Sequence, residues 1–326
     1  MSGADEYAYE GGDGDGDGDG DEREHGRRPE QRRPRPGQGY QPGPVAGPGR
    51  QEQGRQHRRE RRDRPGTPWR IHGLSVEGYR HRRQGLPCQD ACAYAVTASV
   101  AVLAVADGAG SRPRSEEGAR LAVELAAEHF ARRAGAAADR RPGEAVHALL
   151  EDAFQDVTKV FLDRTGADAA DFATTLTVVV LAPGWLGHLS VGDGFVVLRA
   201  GTEDGERQFH LLPQPPPAGE YSNETVFLTS PDAARWVHTD CVSDEGIDGV
   251  LLSTDGLAQA ALHRSASGAP SPNPSFAEAV LRSLDGAGPV TDSAHEGLAT
   301  LLRSDRLTAL NADDKTLLRA VRAVRP

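Results

Sequence analysis

The runs TTLTVVVLA (174–182), WLGHLSV (185–191) and FVVLRA (195–200) are short and β-branched, with nothing between them but Pro-Gly and Gly-Asp-Gly. Runs of that length joined by those turn residues admit few folds. The chain must reverse at each pair and build a meander of antiparallel hairpins. After a proline-rich loop, PQPPPAGEYSNE (213–224), TVFLTS (225–230) and GVLLS (249–253) read as further strands. Upstream, DACAYAVTASVAVLAVAD (90–107) reads as two more, meeting near Thr97 to Ser99.

Helical texture lies between and after these strands. SEEGARLAVELAAEHFARR (115–133) has acids in its first turn, Arg in its last, and Leu121, Leu125 and Phe130 on its apolar face. A second helix opens at Pro142 and is stopped by Gly166. SFAEAVLRSL (275–284) and SAHEGLATLLRSD (293–305) read as two more, before a last strand in DDKTLLRAVRAV (313–324). Each amphipathic helix needs a surface to cover. The order therefore predicts an α+β fold: mainly antiparallel sheets in a sandwich, flanked by helices.

Residues 1–68 have a different texture. GGDGDGDGDGDE passes into an Arg/Pro/Gln/Gly stretch with almost no aliphatic side chains, so this segment is expected to be a disordered tail, with the folded domain at 69–326. The Gly-Asp repeat lacks the flanking helices and the apolar loop position of an EF-hand, so it reads as a spacer or docking segment. The tail holds 14 acids and 13 bases, leaving 34 acids against 24 bases from residue 69 onward. An acidic domain disfavours nucleic acid as a ligand, although the Arg-rich half of the tail could touch one weakly. No apolar run reaches the roughly 20 residues that span a bilayer, and the first residues lack a signal peptide. Cys88, Cys92 and Cys241 have no zinc spacing and suit reduced thiols, so the expected compartment is the cytoplasm, with no membrane partner.

Three aspartates share one context. Asp107 follows VLAVA, Asp255 follows GVLLST and Asp193 follows HLSVG; each ends an apolar strand and precedes glycine. Asp90 begins a strand, and Asp313 and Asp314 precede the last one. Carboxylates brought together at strand ends repel and raise one another's pKa, a cost that a divalent cation removes. Oxygen-only ligation selects Mg²⁺ or Mn²⁺ over zinc, and two such ions can acidify a shared water for in-line displacement. Any one Asp-Gly pair is equally a hairpin turn, and Asp193, inside GDG, most clearly so.

Taken in order, GLPCQDA, VADGAGS before a helix, ATTLTVVVL, LSVGDGFVVL, VLLSTDGLA and DDKTLL resemble the metal-dependent type 2C protein phosphatase (PPM) family, in its bacterial branch, over about residues 71–324. The resemblance implies an α-β-β-α sandwich with a two-metal centre at one end of the sheets. It implies Asp107 as the bridging ligand, the Gly108 carbonyl on one ion, Asp255 and Asp313 on the other, and Asp90 holding waters. Asp171 is the nearest candidate for a third, weaker ion near the TT motif. The implied reaction is hydrolysis of phosphoserine and phosphothreonine in proteins, opposing a bacterial serine/threonine kinase.

Departures from the family pattern are local. Gln89 replaces the usual Glu, Gly85 stands where a phosphate-binding Arg is usual, and Ala109 replaces a histidine acid. In GYRHRRQG, Arg80, His81, Arg82 or Arg83 could supply the phosphate contact or a general acid, or simply form a solvated surface. Thr174 and Thr175 are expected to pack and hydrogen-bond without catalytic part. The alternative reading is a catalytically weak, phosphatase-like module that binds phosphoproteins.

Overall fold

The computed structural model describes residues 69–137, 143–201, 206–214, 225–264, 269–285 and 290–323. The expectation of a disordered tail over 1–68, and the helix start at Pro142, lie outside the described residues. All described residues belong to one compact unit, Glu60–Pro326.

In chain order the elements are β1 (Trp69–Val76), α1 (Tyr79–Gln84), β2 (Asp90–Val96), β3 (Ala101–Asp107), α2 (Ser115–Gly135), α3 (Glu144–Thr165), β4 (Leu176–Ala182), β5 (Trp185–Val191), β6 (Phe195–Gly201), β7 (Arg207–Leu211), β8 (His238–Val242) and β9 (Ile247–Ser253). Then follow α4 (Ala258–Ala261), β10 (Leu262–Arg264), β11 (Pro270–Pro272), α5 (Pro274–Arg282), α6 (Asp292–Leu302), α7 (Asp305–Leu310) and β12 (Lys315–Arg322). One five-stranded sheet runs β1-β12-β9-β6-β7 and the other β2-β3-β4-β5-β8, with β10 and β11 as a separate hairpin. Every strand pairing in the two large sheets is antiparallel.

Alternation within the strands sends one set of side chains into the gap between the sheets and the other set toward helices. Leu103, Val179, Leu186, Val196, Leu252 and Leu318 fill the gap. On the outer face of the second sheet, Val102, Val178 and Leu189 meet Phe130 of α2 and Leu150, Phe154 and Phe161 of α3. On the outer face of the first, Leu251 and Leu317 meet Val280 and Leu281 of α5, Leu298 of α6 and Leu307 of α7. Three apolar layers between four structural layers give the expected α-β-β-α sandwich. The buried face of α2 is mostly alanine (Ala119, Ala122, Ala126, Ala131, Ala134), which lets the helix axis approach the sheet, while Leu121 is only partly buried.

Three expectations need correction. The meander of hairpins breaks at Gly-Asp-Gly: β4 and β5 pair across Pro-Gly, but β6 belongs to the other sheet, where it pairs with β7 and β9. Thr225–Ser230 is a turn instead of a strand: Ser230 N donates to the Phe227 carbonyl, Phe227 N to Ser230 Oγ, and Leu228 N to the Thr174 carbonyl. Its apolar character serves to bury Leu228 under the second sheet, whose edge is taken by β8. The helix read across 293–305 is two helices, because Ser304 leaves α6 and caps α7 by accepting from Leu307 N. Strands β1, β7 and β8 were not anticipated; their His, Arg and Gln content hides the alternation that marks a strand.

Candidate metal centre

One pole of the sandwich collects the acidic strand ends. Asp90 opens β2 directly opposite Asp107, which closes β3 in the same ladder. Asp255 follows the end of β9, and Asp313 and Asp314 precede β12; these strands are neighbours, with Ser253 opposite Leu317. Asp193 lies in the β5–β6 turn at the same pole. The two sheets are joined here through Thr254, whose hydroxyl donates to Asp90 Oδ2 (2.7 Å) and accepts from Thr316 N (3.3 Å).

The backbone around Asp107 is held from below. Asp107 N donates to Thr175 Oγ1 (2.9 Å), Thr174 Oγ1 donates to the Asp107 carbonyl (2.9 Å), and Thr175 N donates to the same oxygen (2.8 Å). Thr174 and Thr175 thus do the hydrogen-bonding work expected of them, and the atom they hold is the backbone of the central acid. Next in sequence, Gly108 passes between two carbonyls. A Cβ there would stand 2.7 Å from the Ser115 oxygen and 2.8 Å from that of Gln89, so glycine is required. Gly256 is equally constrained, since its Cβ would lie 1.8 Å from the Asp314 carbonyl oxygen. The Asp-Gly pairs here are close approaches of backbone segments as well as turns.

Burial raises the pKa of Asp107 strongly, and the neighbouring Asp90, Asp255 and Asp193 raise it further; Asp107 and Asp255 are within side-chain hydrogen-bonding reach of each other. Asp255 is raised by burial and then by Asp193 and Asp313. Asp90, 7% exposed, is raised by burial and by Asp314 and Asp255, against the opposing hydrogen bonds from Thr254 and Thr316. Burial and mutual repulsion thus work against charge on Asp90, Asp107 and Asp255. Among the described residues no three His, Cys, Asp or Glu side chains are spaced to encircle an ion as the chain stands. What the pole offers is the chemistry of its donors. Asp90, Asp107, Asp255 and Asp313 and the Gly108 carbonyl are all hard oxygen donors, and a divalent cation would relieve the repulsion that raises Asp90, Asp107 and Asp255.

Asp314 plays a different part from its neighbour. It is 4% exposed and accepts from Gly78 N (2.6 Å), Gln89 N (2.6 Å) and His81 Nδ1 (2.8 Å), which uses its carboxylate within the protein. His81 is thus brought to the edge of the acid pole, and Arg80 lies beside it on the exposed face of α1, its amide donating to the Ala312 carbonyl. Asp171 sits near the end of a 3-10 turn (Gly166–Phe172), with its carbonyl accepting from Arg114 N, three residues before Thr174, which holds the Asp107 backbone. Ala109 N donates to the Ala173 carbonyl, so the position after Asp-Gly is used for packing.

Sequence reasoning passed over two residues. Lys315, 2% exposed, donates Nζ to the carbonyls of Asn311 and Asp313 (2.7 Å each) and ties down the loop that carries Asp313; burial lowers its pKa. A lysine next to paired aspartates reads as surface charge, and no local pattern marks it as buried. Asp193, expected in a hairpin turn, instead sits where Gly-Asp-Gly carries the chain from β5 in one sheet to β6 in the other, and its carboxylate acts on Asp107 and Asp255. The signal was present in its context, a strand end followed by glycine, shared with the other two. Cys88 and Cys92 near Asp90 are both pushed up by burial and remain free thiols, as does Cys241.

Residues 77–303 match the model of the family described as protein phosphatase 2C. The chain is 31% identical over 262 residues to serine/threonine-protein phosphatase 3 of Escherichia coli (strain K12), covering 78% of this chain and 98% of that protein. Among solved structures it is similar in fold to serine-threonine phosphatase 2C of Toxoplasma gondii (TM-score 0.51, 14% identity, 78% of this chain and 94% of that one). It is likewise similar to the serine/threonine phosphatase of S. agalactiae (TM-score 0.50, 14% identity, 78% of this chain and 99% of that one). With its sandwich, its acid pole and this match in hand, the chain belongs to the protein phosphatase 2C family.

Proposed function

We propose that this chain is a metal-dependent serine/threonine protein phosphatase that hydrolyses phosphoserine and phosphothreonine esters in proteins. The observation that carries the reading is the meeting of Asp90, Asp107, Asp255 and Asp313 at one pole, where burial and neighbouring acids raise the pKa of Asp90, Asp107 and Asp255. Family membership supports it.

In this reading Asp107, the Gly108 carbonyl, Asp255 and Asp313 would hold the ions, and Asp90 would hold water beside them. A bound pair of Mn²⁺ or Mg²⁺ ions supplies Lewis acidity toward water and toward phosphoryl oxygens. Thr174 and Thr175 fix the Asp107 backbone so that its carboxylate does not have to be ordered when substrate arrives. Thr254 holds Asp90 by a hydrogen bond that favours the charged carboxylate. Arg80 offers a guanidinium to phosphate oxygens, and His81, oriented through Nδ1 by Asp314, offers a proton donor for the leaving alkoxide. Asp171 is the candidate for a third, weaker ion.

Residues 69–326 form the catalytic domain in this proposal, and residues 1–68 a tail. Free Cys88, Cys92 and Cys241 suit a reducing cytoplasm, with a bacterial serine/threonine kinase as the opposing enzyme. No helix among the described residues is long and apolar enough to cross a membrane. A module that only bound phosphoproteins would have no use for a buried acid pole that costs stability.

The test is direct. The purified chain hydrolyses p-nitrophenyl phosphate and a phosphothreonine peptide when Mn²⁺ is present, stops in EDTA, and resumes when Mn²⁺ is restored. Turnover that ignores EDTA, or an Asp107→Asn variant as active as the parent, overturns the reading.

A further inference from the structure

We infer that α1 selects substrates by reading acidic residues beside the phosphorylated side chain, an inference that rests on the phosphatase reading above. The helix Tyr79–Gln84 buries none of its residues and is nonetheless fixed in place. Asp314 takes the amide before it (Gly78), a side chain within it (His81) and an amide after it (Gln89), and the Asp314 amide itself donates to Asp313 Oδ1 (3.0 Å). One buried carboxylate therefore locks an exposed basic helix to the loop that carries a candidate ligand. The Arg80 amide on the Ala312 carbonyl adds a further tie.

The charges of α1 are left available. Among the described residues, Arg80, Arg82 and Arg83 have no carboxylate at ion-pair distance: Arg82 donates to the Glu77 carbonyl, and Arg83 lies 5.7 Å from the centre of the Tyr79 ring. Elsewhere Arg114 is paired with Glu117, Arg133 with Asp156, Arg199 with Asp285 and Arg303 with Glu77. From residue 69 onward acids outnumber bases 34 to 24, so acids are in ample supply, yet among the described residues none of these three neighbouring arginines makes an ion pair, and only Arg82 feels a nearby carboxylate, that of Glu77, itself paired with Arg303. A cationic strip next to an acidic pole matches a partner whose phosphate goes to the pole and whose flanking glutamates or aspartates go to the strip. Exposed pairs of this kind discriminate between partners more than they add affinity. Tyr79 and Leu86, 45% and 44% exposed, border the strip and offer apolar contact to the same segment.

The full-length chain with Mn²⁺ is assayed on two phosphothreonine peptides that differ only in flanks, glutamate in one and serine in the other. The parent prefers the glutamate peptide in kcat/KM, and Arg82→Glu/Arg83→Glu, which leaves Arg80 for the phosphate, lowers that preference by roughly fivefold, with Arg83→Glu alone giving a smaller drop. The preference also shrinks as NaCl is raised. The Arg-rich N-terminal stretch is common to all variants and cancels in the ratio. No preference in the parent, or loss on both peptides alike with the ratio intact, overturns the inference. If the parent hydrolyses neither peptide nor p-nitrophenyl phosphate, the phosphatase reading has failed. Anisotropy of the same labelled peptides on parent and variant then decides on binding alone: a preference that falls in the variant sustains the strip, and equal binding overturns it.

Discussion

Strand β9 carries an acid at each end of its course, and the two live in opposite circumstances. Asp248, near its start, accepts from buried Arg199 Nε at 2.6 Å, and the same guanidinium reaches Asp285 at 3.2 Å while Arg207 meets Glu278 at 3.1 Å. Burial alone would lower the Arg199 pKa, but the bonds to Asp285 and Asp248 prevail and raise it. Asp255, just past the end of the same strand, faces Asp107, Asp193 and Asp313 instead, and its pKa is raised by burial, Asp193 and Asp313 against a hydrogen bond with Asp107 that lowers it. Lys315, the buried cation of that pole, spends its ammonium on backbone carbonyls. Acids supplied with a cation by the chain itself serve the fold. Acids gathered without one are, in the proposed function, those that would take a cation from solution.

The sharpest way to break this contrast is to neutralise one acid from each set and watch different quantities move. Asp107→Asn is expected to lower kcat/KM on p-nitrophenyl phosphate by about a thousandfold, the order lost with one preorganised electrostatic group, while its metal-free unfolding midpoint holds or rises. Arg199→Ala is expected to do the reverse. It removes the cation beneath Asp248 and Asp285, and the destabilisation should be about 3 kcal/mol in urea unfolding, the lower end for breaking a buried pair because both acids keep some solvent. Should Asp107→Asn instead unfold the chain, the acid pole is structural and the contrast fails.

One side of this contrast is legible in the sequence. Pro-Gly marks the β4–β5 hairpin, and a shared context, strand end then Asp-Gly, points to Asp107 and Asp255, whereas Gly-Asp-Gly looks like the next hairpin and is a crossing between sheets. What escaped was set by tertiary pairing. Trp69–Val76 is a strand because β12 lies beside it in register, and its own sequence carries His72 and Gly73 where alternation is expected. Thr225–Ser230 has strand-like residues and becomes a turn because its amides are taken by Thr174, Phe227 and Ser230. Asp313 and Asp314 are adjacent and chemically identical, and no local pattern says that one carboxylate is used up by Gly78, His81 and Gln89.

Metal addition sharpens the contrast next. At a Mn²⁺ concentration about a hundredfold above Kd, linkage stabilises the fold by about 2.7 kcal/mol, read as a raised thermal midpoint that Asp107→Asn largely loses and Arg199→Ala keeps. The pH dependence has a definite sign. Asp107, Asp90 and Asp255 have folded pKa values above their unfolded ones, so the folded state holds protons that the unfolded state releases once pH passes about 4. Their contribution is full below that point and is lost as pH rises toward the folded values. Without metal, the thermal midpoint should therefore fall more steeply with rising pH in the parent than in Asp107→Asn. With Mn²⁺ bound, the difference should close, because the ion replaces the protons.

The smallest expected effect isolates one hydrogen bond. Thr254 Oγ1 donates to Asp90 and is the contact that most opposes the upward push of burial on that carboxyl. Thr254→Val keeps the side-chain shape and removes the donor, so Asp90 becomes harder to ionise and Thr316 N loses an acceptor. Stability should drop by about 1 kcal/mol. The more telling readout is the pH at which Mn²⁺ half-activates hydrolysis, which should move upward because a more tightly held proton must leave before the ion can enter. A variant that loses stability with no movement of that pH would mean Asp90 is anchored for the fold alone, and would transfer it from the acids gathered without a cation to the satisfied ones.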